Sequence, residues 1–450
     1  MNSLYFRRLL VLTILAGALG MALLIFPYGA PRAGAATTNI DQFDDTWAVT
    51  NSVAGTSVFS YTNVVGVLGG QREVTVTNSA SSGSGDITFR SNSPAGTGSY
   101  NTAADVLGVI TLTYDGTSDG GAAGVNPTGL GGVDLSANAI VVAISQEDWA
   151  GSMTVNYWSD ASRCSTLTRS TPAGISPGSA IFPIVFRFRD FSTCSGYSTA
   201  AVSNTVGAIQ LVVSSATKST DIIFDMIASA NLDFGDAPTS YRTNYNATPS
   251  NSGPYHVING ALKLGSVIDG EEGESVGGTN AVIDDNTTSD DEDGVTRFNT
   301  TPWTNGGTAS LTITVSGGSG CLYGWFDWGN DGVFDDGDVG SSDRIISTTV
   351  SAGTARYDFT SQADTNGNQY YARFRLYPQD QDGSCNSAKS PEGNPAFGGE
   401  VEDYRFGWMP TAVSLNSMSA TAEANSVLPF ALAGLGVVAL GAVVLVRRRK

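Results

Sequence analysis

The sequence is poor in the side chains that usually carry out chemistry. Among 450 residues it has one histidine (His256), four cysteines and four lysines (Lys218, Lys263, Lys389 and Lys450). A lone histidine allows at most one Ser-His-Asp arrangement, and no G-x-S-x-G elbow accompanies it. No two cysteines stand in C-x-x-C spacing, which argues against zinc and thiol redox chemistry. The lysines lie on no evident core strand, which disfavours Lys-Asn crosslinking of the kind found in pilin-like adhesins. Charged residues make up only 14%, and acids outnumber bases 42 to 23, for a formal net charge of −19. Nucleic acid needs basic partners and is excluded as a ligand. Strong helix formers are scarce in the middle of the chain, so a helical bundle is excluded too.

What is abundant points to β-structure. There are 54 glycines, Ser and Thr are frequent, and hydrophobic residues at 41% suffice to build cores. The length allows two or three domains. The expected fold is all-β: two β-sandwich domains between an N-terminal signal peptide and a C-terminal transmembrane helix.

Both ends read as targeting segments. Arg7 and Arg8 precede the apolar run Leu9 to Phe26, and Ala33-Gly-Ala-Ala36 offers a small-residue cleavage site. Residues 1–36 are read as a signal peptide, the length of the run leaving an uncleaved anchor open. At the other end, residues 411–426 read as a stalk rich in Ser, Ala and Thr. Residues 427–446 are apolar and, at about 20 residues, long enough to span a bilayer. The tail Arg447-Arg-Arg-Lys450 should stay cytoplasmic, placing the rest on the extracellular face of the membrane as a single-pass protein. Leu428-Pro429 begins like a sortase pentapeptide but lacks its Thr-Gly pair, so membrane anchoring is the expectation.

The cysteines fall two to each half: Cys164 and Cys194, then Cys321 and Cys385. Three pairings are open, and one disulfide per domain is the simplest.

The first domain is expected over residues 38–230. Strand candidates such as Glu73–Thr77, Val109–Tyr114, Ala139–Ile144, Met153–Trp158, Ile184–Phe188 and Ile209–Val213 recur with turn signals between them. Some alternate cleanly and others are continuously apolar, as in a two-sheet sandwich with some strands covered on both faces. The stretches Ile40–Asp45, Val67–Glu73, Phe186–Phe191, Val206–Leu211 and Asp221–Ile227 resemble galactose-binding-like jelly rolls, the fold of many carbohydrate-binding modules. On that resemblance Trp47, Trp149, Tyr157 and Trp158 are candidates to stack on sugar rings, with core filling as the alternative.

The second domain is expected over residues 231–408. Its motifs, in order, are Asp233-Phe-Gly-Asp-Ala-Pro238 with Ser240-Tyr241, Gly253-Pro-Tyr-His256, Leu264-Gly265 leading to Asp269-Gly-Glu271, and Asp290-Asp-Glu-Asp-Gly-Val295. There follow Gly324-Trp-Phe-Asp-Trp328 with Asp331-Gly332, Tyr371-Ala-Arg-Phe-Arg375 and Gly399-Glu-Val-Glu-Asp-Tyr404. They resemble the GEVED domain of bacterial secreted and surface proteins. The resemblance implies an extracellular β-sandwich found beside adhesin-like modules and membrane or wall anchors, with no activity attached.

Clustered carboxylates repel one another unless a cation or an arginine sits among them, and Ca²⁺ takes six to eight oxygen ligands from flexible loops. One candidate site is the loop in which Asp327, Asp331, Val333 (through its carbonyl), Asp335 and Asp338 fall at calcium-loop positions one, five, seven, nine and twelve, with Gly332 at the turn. Gly329 at position three and the short Asp at position twelve depart from the pattern. A second candidate gathers Asp290, Asp291 and Asp293 with Asp233 and Asp236, beside Glu400, Glu402 and Asp403. Arg373 and Arg375 share one strand face and compete for those carboxylates, Glu402 foremost. His256 is read as a structural hydrogen-bonding residue.

The functional expectation is a non-catalytic, membrane-anchored extracellular surface protein with an adhesion or cell-envelope role, its acidic loops holding Ca²⁺. The partners expected are the membrane, through the C-terminal helix, and a glycan or surface protein. The alternatives are a carbohydrate-binding protein acting through the first domain and a glycoside hydrolase, the latter disfavoured because no acid pair stands in an apolar setting.

Overall fold

The computed structural model describes residues 38–407, except 80–84, 93–94, 117–123, 149, 173, 177–179, 216, 247–251, 261, 272–290, 335–342, 364–368, 380–384, 386–388 and 394. The expected signal peptide, stalk, transmembrane helix and basic tail lie outside the described residues. So do Trp149, Asp290, Asp335 and Asp338. Among the described residues no helix is long and apolar enough to cross a membrane.

Among the described residues, the region expected as the first domain holds fourteen strands: β1 (Thr38–Asp41), β2 (Trp47–Asn51), β3 (Ser57–Asn63), β4 (Gln71–Asn78), β5 (Ile87–Ser91), β6 (Gly98–Thr102), β7 (Gly108–Tyr114), β8 (Ala139–Glu147), β9 (Gly151–Asp160), β10 (Arg163–Ser170), β11 (Phe182–Arg187), β12 (Ser192–Thr193), β13 (Ala208–Ser215) and β14 (Asp221–Ala230). They form two seven-stranded sheets, one ordered β11-β8-β14-β6-β5-β2 with β1 beside β14, the other β12-β10-β9-β13-β7-β4-β3. Period-two alternation builds the core between them. Val74, Val76, Ile110, Leu112, Leu211 and Val213 from one sheet meet Phe89, Tyr100, Ile140, Val142, Ile144 and Phe224 from the other.

Strand β8 shows why some strands are continuously apolar. Ile140, Val142 and Ile144 enter this core, while Ala139, Val141 and Ala143 point out of the sheet into a second cluster with Leu232, Phe234, Tyr255, Val257 and Phe397. Both faces are covered, so neither needs polar residues. One buried charge is tolerated because carboxylates surround it: Arg72 makes two bonds of 2.5 and 2.6 Å to Asp41, which also accepts the Tyr114 hydroxyl at 2.7 Å, and Arg72 Nη1 lies 2.7 Å from Asp45.

The chain passes from β14 through Asn231 directly into the region expected as the second domain, and the described residues of both regions belong to one compact unit. The strands of the second region are β15 (Leu232–Phe234), β16 (Tyr255–Val257), β17 (Lys263–Leu264), β18 (Val295–Arg297), β19 (Thr308–Ser316), β20 (Gly320–Phe326), β21 (Arg344–Val350), β22 (Gly353–Thr360), β23 (Gln369–Pro378), β24 (Ala396–Phe397) and β25 (Glu400–Gly407). A small sheet, β15-β16-β24, lies against the first domain through the shared cluster above. Two four-stranded sheets, β17-β19-β18 with β22 beside β19, and β21-β20-β23-β25, enclose the second core. Leu311, Ile313 and Val315 of β19 alternate with outward Thr312 and Thr314 and pack on Leu322, Phe326, Phe374 and Leu376. Disulfides join Cys164 to Cys194 and Cys321 to Cys385, one in each domain.

Candidate functional site

Strand β25 shows what the Gly-Glu-Val-Glu-Asp run does. Gly399 has φ 78°, and a Cβ there would lie 1.8 Å from the Leu376 carbonyl oxygen, so only glycine fits the entry to the strand. Beyond it, the pleat sends alternate side chains to opposite faces. Glu400 and Glu402 share one face. Glu400 accepts the Leu264 N–H at 2.5 Å, and Glu402 accepts the Gly294 N–H at 2.9 Å. Tyr404, two residues further, accepts the Val295 N–H through its hydroxyl at 2.8 Å.

Asp403 takes the other face. It binds its register partner Arg373 through both guanidinium arms at 2.7 Å and also accepts the Ala237 N–H at 2.8 Å. The arginine therefore pairs with Asp403 and not with Glu402. The competition expected at Glu402 is resolved by strand parity.

Arg375 sits beside Arg373 on the same face. It donates to the Ser390 and Gly393 carbonyls and, through Nε, to His256 Nε2 at 3.2 Å. His256 Nδ1 lies 2.9 Å from the Gly398 carbonyl, which can only accept. The ring is therefore neutral with its proton on Nδ1, and burial followed by the Arg375 charge holds its pKa well below the ordinary value. Both nitrogens are in use, so His256 is a structural residue.

The second candidate cluster is partly assembled. Asp233, Glu271 and Asp291, all buried, each offer an oxygen within 4.8 Å of the others. Main-chain N–H groups orient each carboxylate: Val401 N–H on Asp233 (2.6 Å), Phe234 N–H on Glu271 (2.6 Å) and Asp269 N–H on Asp291 (2.9 Å). Glu400 feels chiefly Glu402, Asp233 and Asp291 among the charges, and Glu402 feels Asp293 and Asp291. Desolvation, and then those like charges on Glu400, push both acids well above the usual carboxylate range. Among the described residues, Glu400 Oε1 and Glu402 Oε2 are buried without a hydrogen-bond partner.

Other expected residues stand apart from the trio. Asp236 is buried but outside it, and Asp293 grips Ser266 through the N–H (2.9 Å) and the hydroxyl. Glu271 is the member of the trio that sequence reasoning passed over. Its one signal was its place at the end of Asp269-Gly-Glu271.

The calcium-like loop after β20 is held by protein donors. The Asp327 carboxylate is buried and accepts the Tyr241 hydroxyl at 2.6 Å, the Gly332 N–H at 3.0 Å and the Asp331 N–H at 3.3 Å. Asp331 is exposed and accepts the Val333 N–H at 3.1 Å. Asp327 thus closes its own turn.

In the first domain, Tyr157 is 3% exposed and packs edge-on against Phe188 and Phe191. It is a core residue with no ring face to offer a sugar. Trp158 is 8% exposed, covered by the Cys164–Cys194 segment, with its indole N–H on the Tyr197 hydroxyl at 3.0 Å. Trp47 is half-buried against Phe89.

No curated protein matches the chain. Among solved structures, the chain is similar to the family 11 carbohydrate-binding module of Clostridium thermocellum in complex with a β-1,3-1,4-mixed-linked tetrasaccharide, at 13% identity and TM-score 0.23 over 43% of this chain and 94% of that one. It is also similar to the family 11 module of a cellulosomal cellulase of Clostridium thermocellum, at 10% identity and TM-score 0.22 over 43% of this chain and 94% of that one. The GEVED domain family model matches residues 321–407, from the half-cystine at Cys321 to the end of β25, so this part of the second sandwich is similar to GEVED domains.

Proposed function

We propose that this is a non-catalytic extracellular surface protein, in adhesion or envelope structure, whose second domain is organised by a Ca²⁺ ion held by Asp233, Glu271 and Asp291. The observation that carries the reading is the buried, oxygen-only trio together with two glutamates that, among the described residues, have unpartnered oxygens. Buried like charges are costly to assemble unless something positive joins them. Arg373 binds Asp403 and main-chain carbonyls, and Arg375 donates to main-chain carbonyls and His256 while its charge also acts on Asp233. Hard carboxylate oxygens without His or Cys suit Ca²⁺ or Mg²⁺ over transition metals, and a site built from separate chain segments suits the looser geometry of Ca²⁺. Export and anchoring rest on the basic-apolar leader and the apolar run 427–446 with its basic tail.

Thermal unfolding of the full chain in Ca²⁺ and in EDTA tests this. An ion at a hundred times its Kd adds about 2.7 kcal/mol, roughly 5–10 °C for a domain of this size. Asp291→Asn should abolish the shift, and no shift at millimolar Ca²⁺ would sink the proposal.

A second reading, glycan binding by the first domain, has its own observation. The outer face of the β3-edged sheet carries one row, Tyr61, Glu73, Thr113, Gln210, Asn156 and Thr166, across six strands, with Glu73 and Thr113 buried and the other four at least partly exposed. Asn156 donates to Gln210 and Gln210 to Thr113, at 3.4 and 3.2 Å, and Tyr61, 44% exposed, stacks on Phe59 at the edge. A glycan array with the native chain and Tyr61→Ala separates the two: binding lost in the variant supports a saccharide on this face.

A further inference from the structure

We infer that the ion at Asp233, Glu271 and Asp291 also locks the joint between the two β domains, so that its occupancy decides whether they unfold together. This rests on the cation reading above and adds a consequence for that same site. The joint has no spacer: β14 ends at Ala230 and β15 begins at Leu232. The residue between them is tied on both sides. Asn138 N–H donates to the Asn231 side-chain oxygen at 3.1 Å, and Leu232 N–H donates to the Asn138 side-chain oxygen at 3.1 Å. Asn231 also accepts the Ile258 N–H at 3.0 Å on its carbonyl.

The residues that plug into the first domain are interleaved with the ion ligands. Leu232 and Phe234 pack on Ala139, Val141, Ala143 and Val185, and Asp233 stands between them on the opposite face of β15. Glu271 holds the same short strand at both ends, its N–H on the Leu232 carbonyl at 2.7 Å and its carboxylate on the Phe234 N–H at 2.6 Å. Gly270 packs so closely on Asn231 that an added Cβ would come within 2.8 Å of it. Farther out, the Arg187 guanidinium of the first domain lies 3.8 Å over the Tyr245 ring of the second. Without a cation, the three carboxylates, which come from three separate stretches of chain, are not tied to one another across the joint. With one, the same groups clamp it.

Differential scanning calorimetry of the full chain is the test, with isothermal titration of Ca²⁺ run in parallel. The expected result is one cooperative transition for the two domains in Ca²⁺ and two separate ones in EDTA. Asp291→Asn should give the two-transition pattern even in Ca²⁺. Should that variant fail to fold, Glu271→Gln serves in its place. Measured Ca²⁺ binding with the same number of transitions in Ca²⁺ and EDTA would overturn the lock and leave the ion site standing. No measured binding would overturn both.

Discussion

Glu147, at the end of β8, makes the stability of the first domain depend on pH in a direction opposite to that of a paired carboxylate. Its side chain is fully buried and accepts the Thr171 hydroxyl, which in turn accepts the Gly151 N–H at 2.7 Å. Among the described residues the second oxygen, Oε2, is buried with no hydrogen-bond partner. Desolvation outweighs the Thr171 bond, and Asp148 adds to it, raising the pKa from 4.5 to about 8. The folded protein therefore holds a proton that the unfolded chain releases. Between those two values the native state binds more protons, so stability falls as pH rises, by about 1.4 kcal/mol per pH unit where the difference is complete. Above pH 8 the accumulated loss is on the order of 3–5 kcal/mol.

Glu147→Gln keeps the shape and the hydrogen bond to Thr171 and removes the ionisation. In urea titrations followed by tryptophan fluorescence, native protein and variant should be equally stable near pH 5, and the variant should gain steadily toward pH 9. Subtracting one profile from the other cancels every other titrating group. Parallel profiles from pH 5 to 9 would refute the reasoning, because they would show Glu147 ionising in the fold at no cost.

Two further outcomes follow from the second domain. Arg373→Met leaves Asp403 buried with the Ala237 N–H as its remaining donor and should cost about 3–5 kcal/mol in urea unfolding, whereas Arg373→Met with Asp403→Leu should recover much of the loss. A cost below about 1 kcal/mol for the single variant would show the pair to be dispensable. Asp331→Ala should leave the Ca²⁺-dependent melting shift intact, since the Asp327 loop is closed by Tyr241 and main-chain donors. A shift lost in that variant would move the ion to this loop.

Much of the architecture was legible because β-structure announces itself locally. Alternation in Thr308–Ser316 and the double-sided apolar run in β8 both follow from the period-two geometry of a pleated strand. The motifs of the second domain were legible as a set. Their chemistry was less so, since a carboxylate beside a glycine reads alike whether it closes a turn, as Asp327 does, or joins others, as Asp291 does. The sugar-stacking expectation at Tyr157 fell to the same ambiguity. An aromatic in a strand fills a core or faces solvent according to parity, and the registry of the neighbouring sheet settles which.

By itself, then, the sequence determined what nearest neighbours along the chain control: strands and turns, the glycine at 399, the alternation that parts Glu400 and Glu402 from Asp403, and the acidic charge balance. The tertiary structure alone decided which distant groups meet. Asp233, Glu271 and Asp291 come from three separate stretches of chain and converge because main-chain bonds bring their segments together: Glu271 to Leu232, Asp269 to Asp291, Val401 to Asp233. Such pairings are non-local, and no periodicity in the sequence records them.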